Sequence, residues 1–277
     1  MTDHSLDLAV STTNQFPSVG HNEPALLKIL RAAVVANPAM LDRPFFCSAD
    51  YSDFLDFLAD ASRTGYQDVP VHTVMGTQHK NFNLDVRNWR DALAALEGEN
   101  KAKTKWDDRA LVYIESEIRD QPFPCDALPG TMLKLVSWGG AVFSDNGAHR
   151  LIAAVCWLSA RHGTEAVLRQ AHVTHRSLHP APVMLIASAA RERQDIAYGR
   201  HGSGWLVRIG VAPAARYFFM AKEGAAPQSV KRRDLWSVLR SGNNGDAFDS
   251  PTDDPLNLKR LPPELALALA DETSLKQ

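Results

Sequence analysis

Apolar residues recur at helical spacing in the first third of the chain. Leu26, Leu27, Ile29, Leu30, Ala33 and Val34 fall on one face of a helix. Asn22-Glu23-Pro24 opens it with a side-chain acceptor and a proline where no N–H is needed, and Asn37-Pro38 closes it. The same period predicts a second helix over 51–63, with Phe54, Leu55, Phe57, Leu58 and Ala61 on one side. It predicts a third over 84–96, closing at Gly98, and a fourth over 107–120. Residues 1–22 have no periodicity and read as a flexible lead-in. Residues 23–105 therefore read as a helical N-terminal region. The polar, lysine-rich stretch 97–105 marks its boundary with a central domain.

Beyond a Pro/Cys/Pro loop ending at Gly130 the period shortens. Met132–Trp138 and Ala141–Ser144 are predicted strands around the tight turn Gly139-Gly140. Asn146–His162 reads as a helix stopped by Gly163. Strands are expected over 173–178, 183–187 and 204–211, and helices over 213–223 and 229–240. Residues 241–255, rich in Gly, Asn, Asp and Pro, read as a flexible loop. The expected architecture is α/β (α+β). A central domain over 106–190 has a small mixed sheet and a buried helix, and 191–277 forms a C-terminal helical extension.

Composition narrows the function classes. With 277 residues, 45% hydrophobic and 22% charged, the chain can bury a core without staples. A net charge of −2 gives no global basic field, so any nucleic-acid site must be a local patch. Cys47, Cys125 and Cys156 are odd in number and contain no CxxC pair, which excludes a disulfide framework or zinc knuckle and points to a reducing compartment. No apolar run reaches the ~18 residues of a membrane span. The first residues lack a secretory pattern, so a cytoplasmic location is expected.

Candidate chemistry concentrates in Phe143-Ser144-Asp145-Asn146-Gly147-Ala148-His149-Arg150. The helix that follows is apolar on every face from Leu151 to Leu158, the signature of a buried helix. Its first turn nevertheless carries His149 and Arg150. A helix start offers N–H groups and a positive dipole end, which favour a phosphate or carboxylate. Gly147 allows close approach or a positive φ. Arg150 can fork two hydrogen bonds to an oxyanion, and His149 can donate a bond or shuttle a proton. Asp145, at the strand end, can hold a metal or orient the histidine. The plainer alternative is that Asp145 or Asn146 caps the helix while Arg150 pairs with a core carboxylate. Cys156, among apolar neighbours, reads as a packing residue.

A strand followed by Asp-x-Gly-x-His-Arg-Leu-x-Ala-Ala opening a buried helix resembles the ParB/sulfiredoxin superfamily, with Asn146-Gly147-Ala148-His149-Arg150 as the matching stretch. The resemblance extends over 107–188 and is carried by the ten or so residues around His149. It implies a turn that binds nucleotide phosphates. ParB-like nuclease-type domains carry Asp-Gly-x-His-Arg here, and sulfiredoxins carry Gly-Gly-Cys-His-Arg. Ala148 stands at the sulfiredoxin cysteine position, which excludes sulfinic-acid reduction by that nucleophile. Asn146, inserted between Asp145 and Gly147, changes the ParB-like spacing. Plasmid fertility-inhibition factors of the Osa type are similar in scale and architecture, which implies nucleotide hydrolysis, DNA cleavage and a block on conjugative transfer.

Other groups carry weaker signals. Histidines 172, 175 and 179 do not present three ligands on one strand face. Gly202-Ser203-Gly204 after His201 could cradle a phosphate but is more often a plain turn. Lys231, Arg232, Arg233 and Arg240 form the best basic cluster, read as a solvated face or as nucleic-acid phosphate contacts. There is no Walker A, HExxH or G-x-S-x-G motif.

Two functions are expected. The first is a ParB/sulfiredoxin-like protein that binds a nucleotide such as ATP, or DNA, with Mg²⁺- or Mn²⁺-dependent hydrolysis through His149 and Asp145. Its protein partner would be a conjugation or partition protein. The second is a non-enzymatic regulator that keeps the pocket for structure or sensing.

Overall fold

A computed structural model describes residues 25–36, 39–78, 86–98, 106, 108–124, 132–231 and 256–275. The periodic apolar runs fold as α1 (Ala25–Ala36), α2 (Ser52–Leu58), α3 (Trp89–Gly98), α4 (Asp108–Glu115) and α5 (Ala148–His162). Two later helices are α6 (Pro180–Arg191) and α7 (Pro263–Ala270). The α/β class is the observed one.

Strands β1 (Phe46–Cys47), β2 (Ala59–Pro70), β3 (Val74–Thr77), β4 (Lys134–Trp138), β5 (Ala141–Asn146) and β6 (Val167–Leu178) form one mixed sheet, ordered β1-β3-β5-β4-β6-β2. The pairs β1–β3, β3–β5 and β4–β6 are parallel, whereas β4–β5 and β6–β2 are antiparallel. A second, antiparallel sheet holds β7 (Ile196–His201), β8 (Gly204–Ile209), β9 (Arg216–Met220), β10 (Gln228–Val230) and β11 (Lys259–Arg260), ordered β10-β9-β8-β7-β11.

The sheet side chains alternate between two cores. Leu135, Val142 and Val173 face α5, around which α1, α3 and α4 pack. Val136, Trp138 and Phe143 face α2, α6, α7 and the second sheet. Helix α5 is buried from Leu151 through Ser159, so each large apolar side chain there contributes about 1.5–3 kcal/mol. That burial outweighs the low intrinsic stability of an isolated 15-residue helix.

Several expectations are corrected. Residues 23–105 are not a helical region, because 46–77 supply three strands of the sheet that β4, β5 and β6 complete. The helix expected over 51–63 ends at Leu58, whose carbonyl accepts from the His179 N–H, and the chain continues as β2 along β6. Strand β2 is an exposed edge with almost no buried side chain, so it lacks the alternation that marks a strand in sequence. The helix expected over 107–120 ends at Glu115, and the Ile118 and Arg119 N–H groups donate instead to the carbonyls of Arg169 and Gln170.

The strand expected over 183–187 lies inside α6, where Pro180 sits at the helix start and a short apolar run alone does not distinguish the two. Finally, 191–277 is not a helical extension, since its described part supplies every strand of the second sheet and, after Arg191, a single α-helix, α7. Arg216–Met220, within the helix expected over 213–223, is the aromatic strand β9, and 228–230 are β10. Residues 1–22, 99–105, 232–240 and 241–255 lie outside the described residues, and with them the remaining expectations for those stretches.

Candidate functional site

Strand β5 delivers the candidate turn to one end of the mixed sheet. Asn146 is the last strand residue, paired with Lys134, and its Nδ2 donates to the Met132 carbonyl at 3.0 Å. Gly147 then takes the left-handed conformation, φ 87° and ψ 37°, and α5 begins at Ala148. The Leu151 N–H donates to the Gly147 carbonyl at 2.9 Å, so glycine is the N-cap. Capping by Asp145 or Asn146 is thereby corrected. Glycine has no side-chain oxygen to place at the helix start, and in such a start an anionic ligand can take that role.

Arg150 bends back along the turn. Its guanidinium carbon lies 5.2 Å from the Phe123 ring centroid, and a Cβ placed on Gly147 would meet that carbon at 3.6 Å. Phe123 packs edge-on against Tyr113 with centroids 5.2 Å apart. Burial pushes the Tyr113 hydroxyl pKa up, while the Leu133 backbone and the Arg150 charge pull it down. His149 is half-buried, with Nε2 shielded from solvent. Asp145 is exposed at the strand end, and Ala148 is buried.

Sheet register adds neighbours that the sequence did not suggest. Lys134 pairs with both Asn146 and His172, and His172 pairs with Tyr66. Register partners share a sheet face, so Asn146, Lys134, His172 and Tyr66 form a row leading away from the turn. The Tyr66 hydroxyl donates to Asp120, and its ring meets His172 edge-on at 5.5 Å. Lys134 is distant in sequence from the turn, and only the β4–β5 pairing brings it near.

The other sequence candidates disperse. His175 is buried against the Ser137 hydroxyl at 2.8 Å, and His179 lies at the start of α6, 3.9 Å from Asp60. Among the described residues no group of three His, Cys, Asp or Glu is placed to hold a metal. Lys231 is exposed just after β10, whereas Arg232, Arg233 and Arg240 lie outside the described residues. Cys156 is fully buried, its thiol 3.8 Å from the Trp89 carbonyl, and burial pushes its pKa up to about 12.

Gly202-Ser203 turns the β7–β8 hairpin at the rim of two adjoining cavities, of about 320 Å³ and 670 Å³. Neither of these cavities is lined by 145–150. They share Asp53, Arg200 and Trp205.

The fold and the turn together define an α/β protein with a strand, a left-handed glycine and a buried helix at one sheet end. Among the described residues no helix is long and apolar enough to cross a membrane. Comparison with protein families, with characterised proteins and with solved structures found no match.

Proposed function

We propose that this chain is a phosphate-ligand-binding protein of ParB/sulfiredoxin type, taking a nucleotide or a DNA phosphate at 145–150. The supporting observation is the glycine N-cap of a buried helix, with Arg150 folded back beside it. In this reading the backbone of Asn146, Gly147 and Ala148 lets the phosphate approach, Arg150 clamps it with paired hydrogen bonds, and His149 donates a third. Lys134, next to Asn146 in the sheet, adds positive charge at the same edge. The chain would act in the reducing cytoplasm, on nucleotide or DNA or beside a conjugation or partition protein.

Hydrolysis with Mg²⁺ or Mn²⁺ is the enzymatic form of this proposal. Mg²⁺ is commonly held by one or two carboxylates plus the phosphates of its ligand, and Asp145 is the carboxylate that fits at this turn. His149 would then move the proton. A regulator that binds without turnover is the non-enzymatic form.

A thermal-shift panel of nucleotides and short DNA, with and without Mg²⁺ or Mn²⁺, tests the binding. A stabilising phosphate ligand that no longer stabilises Arg150→Ala supports the site. No shift with any of them, or equal shifts in both proteins, removes it. Binding without product release selects the regulator.

A further inference from the structure

The 320 Å³ cavity between α2 and the β7–β8 hairpin is a second built site, independent of the turn at 145–150. Its floor is aromatic and fixed. Phe54 stacks on Tyr198 with centroids 4.3 Å apart, and Trp205 lies tilted across both at 5.2 Å and 5.8 Å. The Tyr198 hydroxyl donates to the Asp50 carbonyl at 3.3 Å, tying this floor to the chain just before α2.

The mouth carries both signs of charge. Asp53 comes from the first turn of α2 and Asp50 from the short turn just before it, whereas Arg200 comes from β7 and Lys259 from β11. Asp53, Arg200 and Lys259 form no ion pair or hydrogen bond among the described residues. Asp53 on one side and Arg200 and Lys259 on the other flank one cavity without joining, and so leave both ends open to a ligand. His201 also lines the cavity, but burial lowers its pKa, so at neutral pH it adds no third cation.

Charge and size select the occupant. A dianion would meet Asp50 and Asp53, and a dication would meet Arg200 and Lys259. A lipid would leave the charged mouth without a partner. A small molecule with one positive and one negative end satisfies both walls. The volume lies at the small end of the roughly 300–1,000 Å³ typical of ligand pockets, a size for a compact metabolite with an apolar body.

We propose that this cavity binds a free zwitterionic α-amino acid, its ammonium between Asp50 and Asp53, its carboxylate at Arg200 and Lys259, and its side chain toward Trp205.

Titration calorimetry of the full chain against each of the twenty L-amino acids tests this. At least one should bind saturably, with Kd about 1 mM or tighter. Its amino alcohol, which lacks the carboxylate, and its N-acetyl derivative, which lacks the ammonium, should each bind at least about tenfold more weakly. Asp53→Asn and Arg200→Gln alter exposed residues and should keep the wild-type circular dichroism spectrum while losing affinity by roughly ten- to a hundredfold. The proposal is overturned if no amino acid binds at up to about 10 mM, or if a single-charge analogue binds as well as the parent. Unchanged affinity in both variants overturns it as well.

Discussion

Arg150 and Phe123 are joined by a cation–π contact, with the guanidinium carbon 5.2 Å from the ring centroid. The ring therefore holds the arginine beside Gly147 before any ligand arrives, which lowers the ordering cost of binding. Phe123→Leu keeps the apolar contact but removes the ring, and should weaken phosphate-ligand binding by about two- to fivefold. Arg150→Ala removes the clamp itself, a loss of about 1.5–3 kcal/mol or roughly ten- to a hundredfold. Calorimetry on the two variants orders them. A larger effect from Phe123→Leu than from Arg150→Ala would show that the pair serves packing alone.

Gly147→Ala tests the turn geometry. An L-residue at φ 87° is strained, and the new methyl would meet Leu133 Cδ1 at 3.2 Å. The cost should be about 1–2 kcal/mol, read as a fall of a few degrees in Tm. Wild-type stability in this variant would mean that the position does not require glycine.

The sequence marked the β4–β5 hairpin and α5 well, because both advertise themselves locally: a Gly-Gly pair between alternating runs, and an apolar helix closed by Gly163. The edge strand β2 was invisible for the opposite reason, since its residues are held by backbone pairing to β6 and bury almost nothing. The second sheet is only half legible, since its β7–β8 turn is readable whereas the sequence of β9 reads as a helix. In the site, His149 and Arg150 stand out in the sequence as polar residues in the first turn of an all-round apolar helix, and again through the motif around them. Lys134 and the cavity over Trp205 do not, because residues far apart in sequence meet only through sheet pairing and packing.

Gly140 shows how much a local reading leaves out. The turn explains a glycine there, but a Cβ on Gly140 would also fall 2.1 Å from the Asp271 carbonyl oxygen. The hairpin is pressed against the chain leaving α7, with no room for a methyl group. Gly140→Ala should therefore destabilise by about 2 kcal/mol or more, beyond the usual glycine-to-alanine effect, because backbone must move. Urea unfolding should show a lower midpoint. An unchanged midpoint would mean that α7 does not seat on this turn.

Cys156 should resist thiol reagents in the folded protein. With the thiol fully buried and its pKa pushed up to about 12, both access and thiolate formation are suppressed. Peptide mapping after brief labelling at mildly alkaline pH should find Cys156 modified only when urea is present. Native labelling as fast as that of a free thiol would contradict the buried position.

His201 should make the fold sensitive to mild acid. Burial lowers its folded-state pKa below the ordinary 6.5, so the unfolded chain takes up the proton first as the pH falls. Between the unfolded and folded values the unfolded state holds more protons, and stability rises with pH wherever that is so. The ring's contribution is thus fully present above 6.5, is lost as the pH drops toward the folded pKa, and falls no further below it. His201→Gln cannot titrate and should lose less stability than wild type between about pH 7.5 and about pH 5.5. Urea midpoints at the two pH values give the comparison directly. The protonation of carboxylates elsewhere is common to both proteins and cancels in the difference. If both proteins lose the same stability, the His201 ring is hydrated in the folded state, and the wall it forms in the cavity is open to water.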